Sequence, residues 1–194
     1  MNIFGLDLAP RKCGWCAGDG SVIPTAGGFR LPGVQSTFGE LLELLRIEID
    51  PLLVRFDPDV VMIEEAILPT GGFRGDGRAA MGTTEQRRIQ MAQGPFVEWL
   101  ALKHADRRGR PIIIEEASPF DVKYALTGNK KADKDTDMVP AAERLGIVLP
   151  KLKVEGREDA ADAAGAWLVG VRLYAKEYLA AWDRRVFAPR GALL

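Results

Sequence analysis

Apolar residues recur along this chain in two ways, as short continuous runs and as longer runs at helical spacing. Ile3 to Leu8 is a short apolar run interrupted by one acid, Asp7. It predicts a strand that delivers a carboxylate near its C-terminal end. Cys13-Gly14-Trp15-Cys16-Ala17 predicts a second strand, Gly18-Asp19-Gly20 a turn, and Val22 to Phe29 a third strand weakened by Pro24 and two glycines. The period then changes between Gln35 and Phe56. Thr37-x-x-Glu40 is a capping box, and Phe38, Leu41, Leu42, Leu45, Ile49 and Leu53 follow at helical spacing. Pro51 inside that pattern predicts a kink or a restart.

Val60-Val61-Met62-Ile63 reads as a central parallel strand buried on both faces, closing on Glu64-Glu65. A Gly-rich loop runs from Pro69 to Thr83. Helical spacing returns from Thr84 to Arg108, with a bend expected at Gly94-Pro95. Pro111-Ile112-Ile113-Ile114 predicts another buried strand, followed by Glu115-Glu116, and Ser118-Pro119 starts a short helix carrying Lys123. Asp133 to Leu145 predicts a further helix, in which Pro140 is tolerated if regular helix begins near Asp137. Lys151 to Gly156 links to an Ala-rich helix from about Arg157 to Trp182.

Three hairpin-connected strands leading into parallel crossovers define an α/β fold, a mixed five-stranded sheet (three antiparallel strands, then two parallel) with helices on both faces. No internal repeat or boundary interrupts the pattern. The 194 residues are expected to form one domain, 1–194, with an extended loop at about 69–83. In such a sheet Asp7 and Glu64 lie on adjacent strands at their C-terminal ends, the edge where open α/β sheets bind ligands.

Composition narrows the classes. A hydrophobic content of 47% suits a soluble globular protein, and no apolar run approaches membrane-spanning length. The first residues lack the basic region and apolar core of a signal peptide, so a cytoplasmic location and no membrane are expected. Cys13 and Cys16 are the only cysteines and His104 the only histidine, too few for a four-ligand zinc site. On a strand the two cysteines face opposite ways and read as reduced packing residues. The net charge of -1 excludes a uniformly basic DNA-binding module, so any contact with nucleic acid rests on local patches.

The last helix carries Asp159 and Asp162, three residues apart and therefore on one face, among small apolar residues. A solvated first turn explains them if they stand alone, because acids stabilise helix N-termini. Together with Asp7 and Glu64 they make four carboxylates with few soft competitors, which suits Mg²⁺ or Mn²⁺. Two such ions about 4 Å apart can clamp the attacking and leaving oxygens of a phosphodiester. Lys123, Lys130, Lys131 and Lys134 form one basic cluster. Arg74, Arg78, Arg87 and Arg88 form a second around the long loop, with Phe73 near its tip as a stacking or wedging group. Both clusters read alternatively as solvated surface, and Phe73 as a residue that pins the loop.

These residues resemble, in order, the RuvC family of Holliday junction resolvases in the ribonuclease H-like superfamily. Gly5-Leu6-Asp7-Leu8-Ala9 with Cys13-Gly14-Trp15 is similar to that family's first strand and hairpin. Pro58-Asp59 through Ile63-Glu64 is similar to its buried strand ending in an acid. Gln90-x-x-Gln93-Gly94, Pro119-x-x-Val122-Lys123 leading to Gly128-x-x-x-Ala132-x-Lys134, and Asp159-Ala160-Ala161-Asp162-Ala163 complete the series. The long loop after Glu65 resembles a diverged, phage-type member. The resemblance implies a structure-selective, metal-dependent endodeoxyribonuclease that resolves Holliday junctions by paired nicks leaving 5′-phosphates. It implies that Asp7, Glu64, Asp159 and Asp162 hold two Mg²⁺ or Mn²⁺ ions per site, with Glu65 the alternative register to Glu64. Lys134 would join the catalytic set, and Lys123 and Lys134 would face the phosphate backbone. The partners implied are branched DNA and a second copy in a twofold homodimer. A nuclease for other branched or flapped DNA, and an inactive relative that only binds junctions, are the alternatives. An actin-like ATPase would need a second, similarly built domain that this length does not hold.

Overall fold

In the computed structural model, five strands form one sheet. The described residues are 1–9, 12–19, 23–31, 37–65, 83–151 and 156–177, with the backbone alone for 83–90 and 104–108. β1 (Ile3–Asp7), β2 (Lys12–Gly18) and β3 (Thr25–Arg30) make an antiparallel meander. β4 (Val60–Glu64) pairs parallel with β1, and β5 (Ile113–Ala117) parallel with β4, so the order is β3-β2-β1-β4-β5. This is the mixed sheet expected. Leu6 lies opposite Ile63, which leaves Asp7 and Glu64 side by side at the C-terminal ends of neighbouring strands.

Side chains alternate along each strand, and the two faces bury two separate cores. Ile3, Val60 and Met62 pack on one face, and Phe4, Leu6, Val61 and Ile63 on the other. The first face is covered by α3 (Pro119–Thr127), α4 (Val139–Arg144) and α5 (Arg157–Leu173). The second is covered by α1 (Phe38–Phe56) and α2 (Thr83–Arg108). Counting by twos places Asp7 and Glu64 on the face that α5 covers and Glu65 on the other. The same alternation puts Cys16 in the first core and Cys13 in the second, both as buried free thiols.

Several boundaries differ from expectation, each for a local reason. β3 starts at Thr25 rather than Val22, directly after Pro24, which has no N–H to give a ladder. The capping box forms: Thr37 accepts from the Glu40 N–H, and Glu40 accepts from the Thr37 N–H. The helix then passes through Pro51 without a restart. Pro51 is exposed, while Leu45, Ile49 and Leu53 bury a continuous stripe on the inner side, which outweighs one lost backbone bond. α2 is likewise continuous through Gly94-Pro95, where both residues are exposed.

β5 is not a buried strand. It is the sheet edge, Ile113 is 40% exposed, and Glu115-Glu116 belong to the strand rather than following it. The helix expected over Asp133–Leu145 divides into a π-turn, Lys134–Met138, and α4, in which Pro140 occupies the first turn where no N–H is needed. Asp133 caps the π-turn by accepting from the Asp135 and Thr136 N–H groups. α5 ends at Leu173, and the backbone is helical again at 175–177; the end expected at Trp182 lies outside the described residues, as do 178–194. Most of the loop expected at 69–83 lies outside it too.

Candidate active site

Asp7 at the end of β1, Glu64 at the end of β4 and Asp162 in α5 converge. One carboxylate oxygen from each lies within 4.8 Å of the others. The three are 57 or more residues apart in sequence, so only the sheet crossover and the return of α5 bring them together. The depth of Asp162 follows from backbone contact between α5 and the sheet. A Cβ added at Gly14 would stand 1.9 Å from the Asp159 carbonyl oxygen, and one at Gly5 would stand 2.2 Å from that of Ala163. Two neighbouring strands thus offer positions without side chains, and the first turns of α5 rest on them. Ala160, Ala161, Ala163 and Ala164 are fully buried around Asp162, which is itself 2% exposed.

Three acids buried this closely oppose one another's ionisation. Burial pushes the Asp7 carboxyl well above its usual range, and Glu64 and Asp162 add to the effect. Glu64 is raised to about 7, first by burial and then by Asp162. Asp162 is raised by burial despite the opposing charge of Lys134. Lys134, the first residue of the π-turn, reaches back into the cluster. Its Nζ pairs with Asp162 and stands 3.9 Å from Asp7 Oδ2. Burial alone would lower its pKa, but Asp7 and Asp162 outweigh burial and hold the ammonium above the ordinary lysine range. Lys123 is half-buried on α3, close enough for its charge to act on Glu64 and Asp162.

The donor set fits a hard divalent cation. It consists of carboxylate oxygens alone, it carries excess negative charge, and the buried Oε2 of Glu64 has no hydrogen-bond donor.

Asp159, half-buried in the first turn of α5, stands outside the three-carboxylate group, although its charge reaches Asp7 and Asp162. Glu65 is exposed and contributes its backbone N–H to the Ala117 carbonyl. Lys130 and Lys131 are exposed in the turn after α3. Phe73, Arg74 and Arg78 lie outside the described residues. Arg87 and Arg88 belong to α2 by backbone, and their side chains are outside the described set. Two residues that the sequence reading passed over, Phe120 and Tyr124, are exposed on α3 beside Lys123. Their signal was available: two aromatics four apart on a short helix whose core stripe is Val122, Ala125 and Leu126.

No protein-family model matches the chain. Among curated proteins, the crossover junction endodeoxyribonuclease RuvC of Corynebacterium diphtheriae is 34% identical over 166 residues, covering 82% of this chain and 87% of that protein. The protein of the same name from Helicobacter pylori is 32% identical over 141 residues, covering 70% and 76%. Among solved structures, Thermus thermophilus RuvC matches with a TM-score of 0.57 at 22% identity over 91% of this chain and 96% of that one. A yeast mitochondrial Holliday junction resolvase matches with a TM-score of 0.54 at 17% identity, over 92% and 83%. At these identities the two structural likenesses speak for the fold.

Proposed function

From the premise that this chain belongs to the RuvC family of crossover junction endodeoxyribonucleases, we propose that it resolves Holliday junctions by paired, divalent-metal-dependent nicks at the cluster of Asp7, Glu64 and Asp162. The observation that carries this reading is the convergence of those carboxylates, from three separate elements, on one buried spot at the C-terminal edge of the sheet.

Asp7, Glu64 and Asp162 would hold two Mg²⁺ or Mn²⁺ ions in this reading, with Asp159 completing the set from the rim. Bound there, such ions supply Lewis acidity, lowering the pKa of a water and stabilising charge on the leaving oxygen. The chain's own residues do the rest. Gly5 and Gly14 let α5 lie on the sheet, which fixes Asp162 against Asp7. Buried alanines on α5 keep the inner side of the cluster dry. Lys134, 45% exposed, and Lys123 bring positive charge to the open side, where a phosphate arrives. Water would attack phosphorus as the P–O3′ bond breaks, leaving a 5′-phosphate on one side of the nick and a 3′-hydroxyl on the other. Two symmetric nicks need two sites, so the acting form is a twofold homodimer.

The test is a panel of four-way junctions, flaps, duplexes and single strands, with mapped cuts and end chemistry. Expected are Mg²⁺-dependent nicks, symmetric across the junction and sealed by ligase. Flaps cut in preference to junctions would move the assignment to another branched substrate. Junctions bound but left intact in Mg²⁺ and Mn²⁺ would make the chain a binding protein.

A further inference from the structure

α3 buries Val122, Ala125 and Leu126, and turns a second stripe outward. Phe120 and Tyr124 stand on it, 56% and 49% exposed. Residues at i and i+4 are neighbours on a helix face, so the two aromatic residues share one solvent-facing strip of a nine-residue helix. Large aromatic side chains carry much of the energy of interfaces, and this pair contributes little to the core beneath it.

The surroundings indicate what covers the pair. Lys130, in the turn that Gly128 starts by ending α3 in a left-handed cap, places its Nζ 5.9 Å from the Tyr124 ring centroid. Lys131 is exposed in the same turn. Lys123 lies between the two aromatics in sequence, and its charge is felt by Glu64 and Asp162. The rings therefore share a helix with a lysine whose charge reaches the carboxylate cluster, and Tyr124 is bordered by Lys130. Protein interfaces are depleted in lysine relative to the rest of the surface, whereas surfaces that grip single-stranded nucleic acid combine cationic grooves with aromatic faces.

We propose that Phe120 and Tyr124 form a stacking platform for unstacked DNA bases beside the cut, with Lys130 and Lys131 on the adjoining phosphates. The proposal rests on the nuclease reading above. A base in continuous duplex is already stacked on both faces and must be unstacked before it can use the platform, while a branch point offers bases that have lost a neighbour. Asp121 shares the exposed side of α3, where its carboxylate accepts from Ser118 Oγ at 2.7 Å. Its charge repels phosphate there, so the backbone tracks along the lysine side and the bases turn toward the rings.

The experiment uses a four-way junction with 2-aminopurine at the branch, held uncut in EDTA, and a matching duplex. The parent, Phe120→Ala/Tyr124→Ala and Phe120→Leu/Tyr124→Leu are compared for affinity, fluorescence change on binding, melting temperature and mass in solution. Both variants are expected to lose about tenfold in junction affinity together with the fluorescence change. Duplex affinity, melting temperature and mass should stay as in the parent. Leucine keeps the apolar bulk without a π-face, so a leucine variant that binds like the parent overturns stacking. A variant that loses junction affinity only because its mass has halved makes the rings an interface between copies and overturns the proposal. A parent that nicks the junction once Mg²⁺ replaces EDTA, alongside variants that bind normally, removes the platform alone. A parent that neither binds nor nicks a junction removes the nuclease reading and the platform together.

Discussion

Lys134 Nζ lies on the Asp162 carboxylate and 3.9 Å from Asp7, so the acids of the site share a cation supplied by the chain itself. The contact spans the π-turn and α5, and it brings a positive charge to a place where three carboxylates, two buried and one half-buried, would otherwise face one another. Any ion entering between Asp7 and Asp162 meets this ammonium and must share or displace it.

Replacing Lys134 with glutamine should therefore destabilise the protein in EDTA and stabilise it relative to the parent as Mg²⁺ is added. Breaking a fully buried ion pair costs about 3–5 kcal/mol. Lys134 is 45% exposed, so solvent screening reduces the expected loss to about 1 kcal/mol. Melting curves across a Mg²⁺ titration, with calorimetric metal affinity for parent and variant, read both halves. A variant whose melting temperature matches the parent in EDTA would mean that the contact contributes nothing.

Glu64 and Glu65 should separate cleanly, because successive residues of a strand face opposite ways. Glu64→Gln is expected to abolish cleavage in Mg²⁺ and to raise the melting temperature in EDTA, since it removes one of three repelling buried charges. Glu65→Gln should cut at the parental rate. Asp7→Asn and Asp162→Asn should abolish cleavage as Glu64→Gln does, though each also takes a partner from Lys134 and so gains less stability in EDTA, and Asp159→Asn should retain part of the activity because it stands outside the group of three. Cleavage lost on changing Glu65 and kept on changing Glu64 would shift the register of β4.

Gly14→Ala should damage both stability and metal binding. Its Cβ would sit 1.9 Å from a backbone oxygen of α5, which cannot swing aside as a flexible side chain can. The displacement is expected to cost about 3 kcal/mol, at the upper end of ordinary overpacking, and to carry Asp159 and Asp162 away from Asp7. Gly39→Ala meets nothing within 4 Å in α1 and should stabilise by about 0.5–1 kcal/mol. Denaturant midpoints and Mg²⁺ affinities of the two variants form the comparison. Equal midpoints would show that α5 yields at no cost.

Cys13 and Cys16 should be silent toward thiol reagents in the folded protein. Burial holds both thiols well above the usual thiol range, and reaction requires the thiolate. They also belong to opposite faces of the sheet, so no disulfide joins them. Colour development with a disulfide reagent should track global unfolding in denaturant. Rapid labelling without denaturant would place one of them at the surface.

The sequence by itself determined the element order and the mixed sheet, and it singled out Asp7, Glu64 and Asp162, the acids that the fold brings together. The strand positions of Asp7 and Glu64 were legible because each closes a short apolar run. The capping box at Thr37 was legible because its chemistry is local, whereas the division of the Asp133–Leu145 helix into a π-turn and α4 was not. What lies across the chain was not. Whether the Ile112-Ile113-Ile114 run is central or edge depends on whether another strand pairs beyond it, and no local period encodes a neighbour. That α1 runs straight through Pro51 was decided by the buried stripe beneath it, which outweighs a local propensity. The pairing of Lys134 with Asp162 arises because the π-turn folds the residue back over α5, a relation between segments 28 residues apart. Gly14 could be seen in the sequence as a strand glycine, but only the approach of the Asp159 carbonyl gives the reason for it. Local pattern fixes which residues face inward, and packing between distant elements decides what they meet there.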